Sequence, residues 1–330
     1  MREPHPFAPF VRILGRGKSL IRSLTEAEAE QAMAMILAGD ALPEQIGAFL
    51  MLLRLKEESP EEIAGFVRAA RKTFVLSAAK VDLDWSSYAG KRRQLPWYLL
   101  SALALAGQGW KVFMHGGEGH TPGRIYTSTA LAALGLAPAK NLADAAQQLA
   151  ANHFAYLTLD ELSPKLSDLL GLRPILGLRS PVHSFARMLN PFAAPTMLQS
   201  VFHPGYISLH RDAGRLLGQP SLSVFRGEGG EIERRPNKPC EVLTLRNGES
   251  GEDRWPALLD DPRAEVDETM DLSRLGALWR GEIVDIYAEA AVTGTLAIAL
   301  HALGAANMGN AQAKAEDLWR ARVRNRLAGR

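Results

Sequence analysis

From residue 24 to 74 the apolar positions recur with helical spacing, and each interruption carries helix-boundary chemistry. Thr25 precedes the first stretch with Glu28 three residues on, the spacing of a capping box. Gly39-Asp40 closes that helix, and Pro43 opens the next, where its missing N–H is harmless. The run QIGAFLMLLRLK is apolar on a broad face, and Ser59-Pro60-Glu61-Glu62 caps a third helix through IAGFVRAARKTF. Short helices with brief loops predict a small all-helical domain over residues 1–77. A segment near 163–185 is expected to complete it. The face of Ile46, Phe49, Leu50 and Leu53 is larger than three short helices can bury, which predicts a homodimer through this domain.

From residue 81 the pattern changes. VDLDW, WKVFMHG, SVFHP and PSLSVFRG have the apolar, β-rich character of strands, and CEVLTL is another. Between them, residues 96–107, 127–134 and 207–217 have helical spacing, and Gly135 ends the second of these. Strands alternating with helices predict an α/β domain with a largely parallel sheet over 78–330. The rest of 231–267 is rich in Gly, Pro and charge and reads as loops; 279–303 and 311–327 read as closing helices. No internal repeat is present.

Composition narrows the class. Hydrophobic residues make up 47% and charged residues 22% of the 330, which excludes wholesale disorder and fibrous repeats. The single cysteine, Cys240, excludes an intramolecular disulfide and any multi-cysteine metal site. With an N-terminus, MREPHPFAPFVRILGRGK, that lacks a secretory apolar core, a cytoplasmic location is expected. No run reaches the roughly 18 uninterrupted apolar residues of a membrane span, so no membrane partner is expected. The net charge is only +2, but its distribution is uneven. Acids crowd between residues 24 and 62. Bases gather at Lys91-Arg92-Arg93, at Arg234-Arg235, and at Arg320, Arg322, Arg324, Arg326 and Arg330. The stretch 15–19 lacks a leading glycine at Arg12 for a phosphate-binding P-loop, and the histidines show no metal spacing.

The segment MAMILAGDALPEQIGAFLMLLRLKEESPEEIAGFVRAAR resembles the N-terminal helical domain of the anthranilate phosphoribosyltransferase family, with its pattern ILxGexxpxQiaAFLmaLRxKGEtxeEiaG. GWKVFMHG resembles that family's GvkVakHGN strand. Gly177-Leu178-Arg179 followed by Asn190-Pro191 resembles LGIRTxFNxLGPLxNP, and residues 292–304 resemble xxNAAxALyvaG. The resemblance spans nearly the whole chain. It implies the class II nucleoside phosphorylase fold of glycosyltransferase family 3, and a homodimer. It also implies that Arg173 falls on the arginine that contacts anthranilate.

The catalytic motifs do not follow. The family's GTGGD loop, whose amides hold pyrophosphate, falls on Ser86-Ser87-Tyr88-Ala89-Gly90, followed by Lys91-Arg92-Arg93. Its NIST falls on Pro96-Trp97-Tyr98-Leu99. Its Mg²⁺-binding Asp-Glu falls on Ile232-Glu233, or on Glu231-Ile232 with a one-residue slip, so one ligand becomes isoleucine. Glu228, Glu231 and Glu233 together are the remaining metal candidate. The Lys and Asn flanking His115-Gly116 become Met114 and Gly117. Glycine alone gives the close approach and positive φ of a phosphate nest.

These losses predict a chain with no catalytic residues and no cofactor. Ser86, Ser87, Tyr88, His115 and Gly116 would line a degenerate substrate cleft. A branch of the superfamily that keeps the fold and dimer, lacks GTGGD and binds DNA or RNA without sequence preference resembles this sequence better; Arg16-Gly17-Lys18 also resembles that branch. The expected partner is therefore nucleic acid, preferably single-stranded DNA, held through its phosphates. The expected contacts are Lys91, Arg92 and Arg93, with Arg173, Arg179, Arg187 and Arg211 on the same face. Trp85, Tyr88, Trp97 and Tyr98 interleave with this run and could stack bases; Trp97 and Tyr98 also open an apolar helix, which favours the core. The alternative is a transferase acting on a pentosyl phosphate with Mg²⁺ and an altered loop. A dimerising scaffold without ligand is the third possibility.

Overall fold

The computed structural model describes residues 3–17, 19–74, 79–263, 266, 267 and 269–327. Four helices open the chain: α1 (Ala8–Gly15), α2 (Glu26–Ala38), α3 (Pro43–Lys56) and α4 (Pro60–Arg71). The capping boxes at Thr25/Glu28 and Ser59/Glu62 are both formed. The residue pattern carries no signal of α1, which joins Phe10 to the helical core beside Phe7 at its N-terminal edge. Phe7 meets Phe49 at 5.3 Å, and Phe49 meets Phe66 at 6.0 Å. Phe49, Leu50 and Leu53 are thus fully buried within one chain, and Ile46 is partly buried against the same core.

The α/β part runs β1 (Leu83–Ser87), α5 (Tyr98–Gly107), β2 (Val112–Gly116), α6 (Thr127–Ala133), α7 (Leu142–Asn152) and β3 (Phe154–Thr158). Four short helices follow: α8 (Leu159–Leu162), α9 (Pro164–Gly171), α10 (Arg173–Leu176) and α11 (Val182–Phe185). This stretch returns to the helical bundle, where Phe185 packs on Phe66 at 5.5 Å. Then come β4 (Thr196–Val201), α12 (Tyr206–Leu216), β5 (Ser221–Arg226), β6 (Cys240–Arg246), β7 (Glu249–Trp255), α13 (Ser273–Arg280), α14 (Ile286–Ala302) and α15 (Ala311–Arg320).

One seven-stranded sheet has the order β3-β2-β1-β4-β5-β6-β7. The first five strands are parallel, and β6 and β7 form an antiparallel hairpin at the edge. Both faces of the parallel part are covered, which is why those strands read as apolar runs. One face packs on the helical bundle through Phe113, Leu157, Met197 and Val224. The other packs on α5 and α14 through Trp85, Met114, Leu198 and Phe225.

Three expectations for the closing elements change. The stretch 247–267 contains a strand, β7, whose polar and mostly exposed residues hide it from apolar patterning. The helix expected over 279–303 is two helices, because Gly281 leaves α13 at φ 75° and Asp285 caps α14. Helix α15 stops at Arg320, and Arg322 folds back to donate to the carbonyls of Leu278 and Trp279. Among the described residues no helix is long and apolar enough to cross a membrane.

Candidate functional site

Strands β1, β2, β4 and β5 all point their carboxyl ends at the cleft beside the helical bundle, where parallel sheets place ligands. The strand ends are packed tightly. A Cβ on Gly116 would lie 1.9 Å from the Ser87 carbonyl oxygen, so β2 must end in glycine there.

The loop leaving β1 turns at Gly90, with φ 68°, and its amides converge on an anion position. That position is filled by the chain itself. Ala89 and Gly90 each donate a backbone N–H to Glu231 Oε1 at 2.6 Å. Two residues on, Glu233 Oε1 pairs with Lys91 Nζ at 2.5 Å, and its Oε2 accepts the N–H of Tyr98 at the start of α5 at 2.9 Å. Glu231, Glu233 and Lys91 are all buried. Burial pushes the Glu233 carboxyl above its ordinary range, and Lys91 pulls it back. The loop that falls on GTGGD and the helix start that falls on NIST therefore hold carboxylates of the 228–233 segment.

The expected cleft residues are spent in the core. Ser87 Oγ, Tyr98 Oη and Thr127 Oγ1 form a closed triangle of hydrogen bonds at 2.8–3.1 Å. Tyr88 donates to His115 Nδ1 at 2.8 Å, and His115 Nε2 faces Asp84 Oδ1 at 3.4 Å, all three being buried. Ser86 is buried as well. Trp85, Tyr88, Trp97 and Tyr98 are each no more than 1% exposed, so none offers a face to a base.

The same segment does not fit Mg²⁺. Glu231 Oε1 is taken by two amides, Glu233 by Lys91 and Tyr98, and Glu228 by Arg235 at 2.7 Å, while Ile232 lies in the core. Mg²⁺ demands near-octahedral oxygen ligands, and the one free buried oxygen of this segment, Glu231 Oε2, cannot supply them. Among the described residues no other group of acidic, His or Cys side chains could hold a metal.

A basic cluster stands at the mouth. Arg124 reaches the carbonyls of Ala89 and Gly90 at 2.9 and 3.0 Å. Arg173 donates to Thr121 Oγ1 at 2.6 Å, and Arg179 points at the same oxygen from 3.5 Å. Arg187 lies beneath, buried, donating to the Gly230 carbonyl at 3.2 Å and set over the Tyr88 ring at 5.8 Å. None of the four has a carboxylate partner among the described ion pairs. Burial and the neighbouring arginines lower the Arg179 guanidinium to about 10. His120 and His183, 5.1 Å apart, are held neutral, at about 4 and about 3, chiefly by burial, with the nearby arginines lowering both further.

The cations expected from sequence therefore separate. Arg173 and Arg179 meet, half-buried, in this cluster, and Arg187 is its floor. Arg92 and Arg93 are exposed. Lys91, expected as a flexible surface cation, is the buried partner of Glu233. Arg211 pairs with its neighbour Asp212 at 2.9 Å, which neutralises it. Arg320 pairs with Asp317 in the C-terminal tail, and Lys18 and Arg330 lie outside the described residues. Arg124 was not anticipated. The bridge between Lys91 and Ile125 brings it to the loop, a pairing with no local sequence signal.

The fold and its relatives agree. Residues 8–74 match the helical bundle domain of the glycosyl transferase family. Anthranilate phosphoribosyltransferase of Oleidesulfovibrio alaskensis is 31% identical over 233 residues, 68% of each chain. The chain belongs to the anthranilate phosphoribosyltransferase family. The Escherichia coli (strain K12) protein YbiB is 27% identical over 245 residues, 72% of this chain and 76% of that one, a likeness that fits a degenerate branch of the family. The crystal structure of anthranilate phosphoribosyltransferase from Thermus thermophilus superposes with a TM-score of 0.80 at 21% identity, covering 96% of this chain and 94% of that one.

Two outcomes follow from the site's electrostatics. Lys91→Met strands the Glu233 charge in the core and should cost about 3–5 kcal/mol of unfolding free energy. Adding Glu233→Gln, which keeps an acceptor for Tyr98, should restore most of it; a double variant as unstable as the single would refute the pairing. His183 is neutral when folded but titrates near 6.5 when unfolded, so the unfolded state binds the extra proton as pH falls. Wild-type protein should lose stability relative to His183→Asn by up to about 1.4 kcal/mol per pH unit between roughly pH 6.5 and 3. Denaturant titrations across that range check this; a constant difference would contradict it.

Proposed function

We propose that this chain binds nucleic acid, preferably single-stranded DNA, through phosphates and without sequence preference, and that it transfers no phosphoribosyl group. The carrying observation is the Glu231 carboxylate seated on the amides of Ala89 and Gly90, beside Arg124, Arg173 and Arg179, which form no direct ion pair with an acid among the described residues. A diphosphate would have to displace that carboxylate and approach the Glu233 charge. Phosphates arriving from solvent meet instead Arg173 and Arg179, and the exposed Arg92 and Arg93 extend the basic surface. Guanidinium groups suit this role because they stay charged and fork onto phosphate oxygens. Family membership and Arg173 favour the second reading, a transferase using a pentosyl phosphate with Mg²⁺.

Paired titrations separate the two. Fluorescence anisotropy with a labelled oligonucleotide should give binding that weakens steeply with salt, while phosphoribosyl pyrophosphate, Mg²⁺ and anthranilate should give no turnover. Replacing Arg173 and Arg179 by alanine should flatten the log–log salt slope by about 1.4, at roughly 0.7 per lost single-strand phosphate contact. Salt-independent binding, or turnover that survives purification, would overturn the proposal.

We also propose a homodimer through the helical domain. Exposed Ile175 and Leu178 support it, on the segment whose Leu176 packs against Gly47 of α3. Light scattering should give twice the 36.0 kDa chain mass, and a single-chain mass at micromolar concentration would refute it.

A further inference from the structure

The accessible rings of this protein are not those its sequence advertises. Beside the arginine cluster, between the helical bundle and the carboxyl ends of β1 and β4, a pocket of about 110 Å³ opens to solvent. Its wall carries Arg179, Ser180, His183, Phe202, His203 and Tyr206. Phe202 is 46% exposed on the loop after β4, and its ring meets His203 at 5.0 Å and 83°. Two polar atoms in the wall have no partner among the described residues. Ser180 is 5% exposed and its Oγ is unbonded, and the buried His183 Nε2 is likewise free. The His183 Nδ1–H donates to the Ser180 carbonyl at 3.2 Å, so Nε2 is left as an acceptor. Buried polar groups are normally satisfied, and each exception calls for a partner.

We infer that one unpaired base of a bound strand enters this pocket, stacking on Phe202 while its polar edge meets His183 Nε2 and Ser180 Oγ. The inference rests on the nucleic-acid reading above. Three features select this ligand. An exposed phenylalanine beside an imidazole offers a π-face, on which any base stacks. An acceptor and a hydroxyl complement the mixed donor and acceptor edge that every base carries. Arg179 lines the same pocket, so the phosphate flanking the inserted base has its cation at hand. A base inside a duplex is stacked on both sides and cannot enter without being extruded, so the pocket gives single strands their advantage.

The test compares an oligo-dT with a strand of the same length and charge whose sugars carry no bases, both by anisotropy on the full-length protein at low salt. The abasic strand should bind more weakly by roughly five- to 150-fold, the range for one stacked base, with the same salt slope because the phosphates are equal in number. Phe202→Ala, at an exposed position that leaves the core untouched, should erase the difference between the strands, and Phe202→Trp should keep it. Equal affinity for the two strands, or a Phe202→Ala variant that still discriminates between them, would overturn the inference and leave phosphate binding standing. Absence of binding for both strands would instead overturn the nucleic-acid reading itself.

Discussion

A carboxylate on two backbone amides organises the cleft. Glu231 takes the N–H groups of Ala89 and Gly90 at 2.6 Å and thereby fixes the loop leaving β1. From that contact the rest follows. The held loop presents its carbonyls to Arg124, the antiparallel bridge to Ile125 is aligned, and Lys91 is turned inward to Glu233. Two buried carboxylates need strong compensation, because desolvating an ion costs several kcal/mol. Charge-assisted bonds to amides and an ammonium supply it. Removing any one partner leaves an uncompensated charge, so the parts hold only as a set.

Turning Lys91 inward has a consequence outside. Its charge is consumed by Glu233, and the cleft mouth is left to Arg124, Arg173, Arg179 and Arg187. Burial first, and their mutual repulsion second, lower Arg179, and burial keeps the histidines between them neutral. Like charges held together without an acid favour an incoming anion, and at the rim that anion meets water and flexible side chains rather than a rigid nest. The proposed site has thus moved from the loop amides to guanidinium groups a few residues above them, on an unchanged scaffold. In the proposed reading fold and function part company, because a fold does not by itself fix the chemistry of its site.

Much of the architecture was legible locally. The capping boxes at Thr25 and Ser59, the apolar runs of β1, β2 and β5, and the helix after Pro96 all formed where residue periodicity put them, because each is a local rule of helix ends or buried strands, whereas the run SVFHP covers only the end of β4, which begins at Thr196. Elements without such a signal were missed. Helix α1 is short, β7 is a polar edge strand, and Gly281 breaks what reads as one long helix.

The sequence by itself determined what this protein lacks: a bulky, basic loop in place of glycines, and isoleucine where a metal ligand would stand. Those are statements about residue types, and they hold in any conformation. Which cations remain free, and which rings remain open, only the tertiary structure decided. Lys91 and Glu233 are 142 residues apart, as are Ala89 and Glu231. Charge pairing and burial at that range depend on how β1, α5 and the 228–233 segment meet in space, and no local spacing encodes it. The same meeting buried Trp85, Tyr88, Trp97 and Tyr98 and left Phe202 in the open.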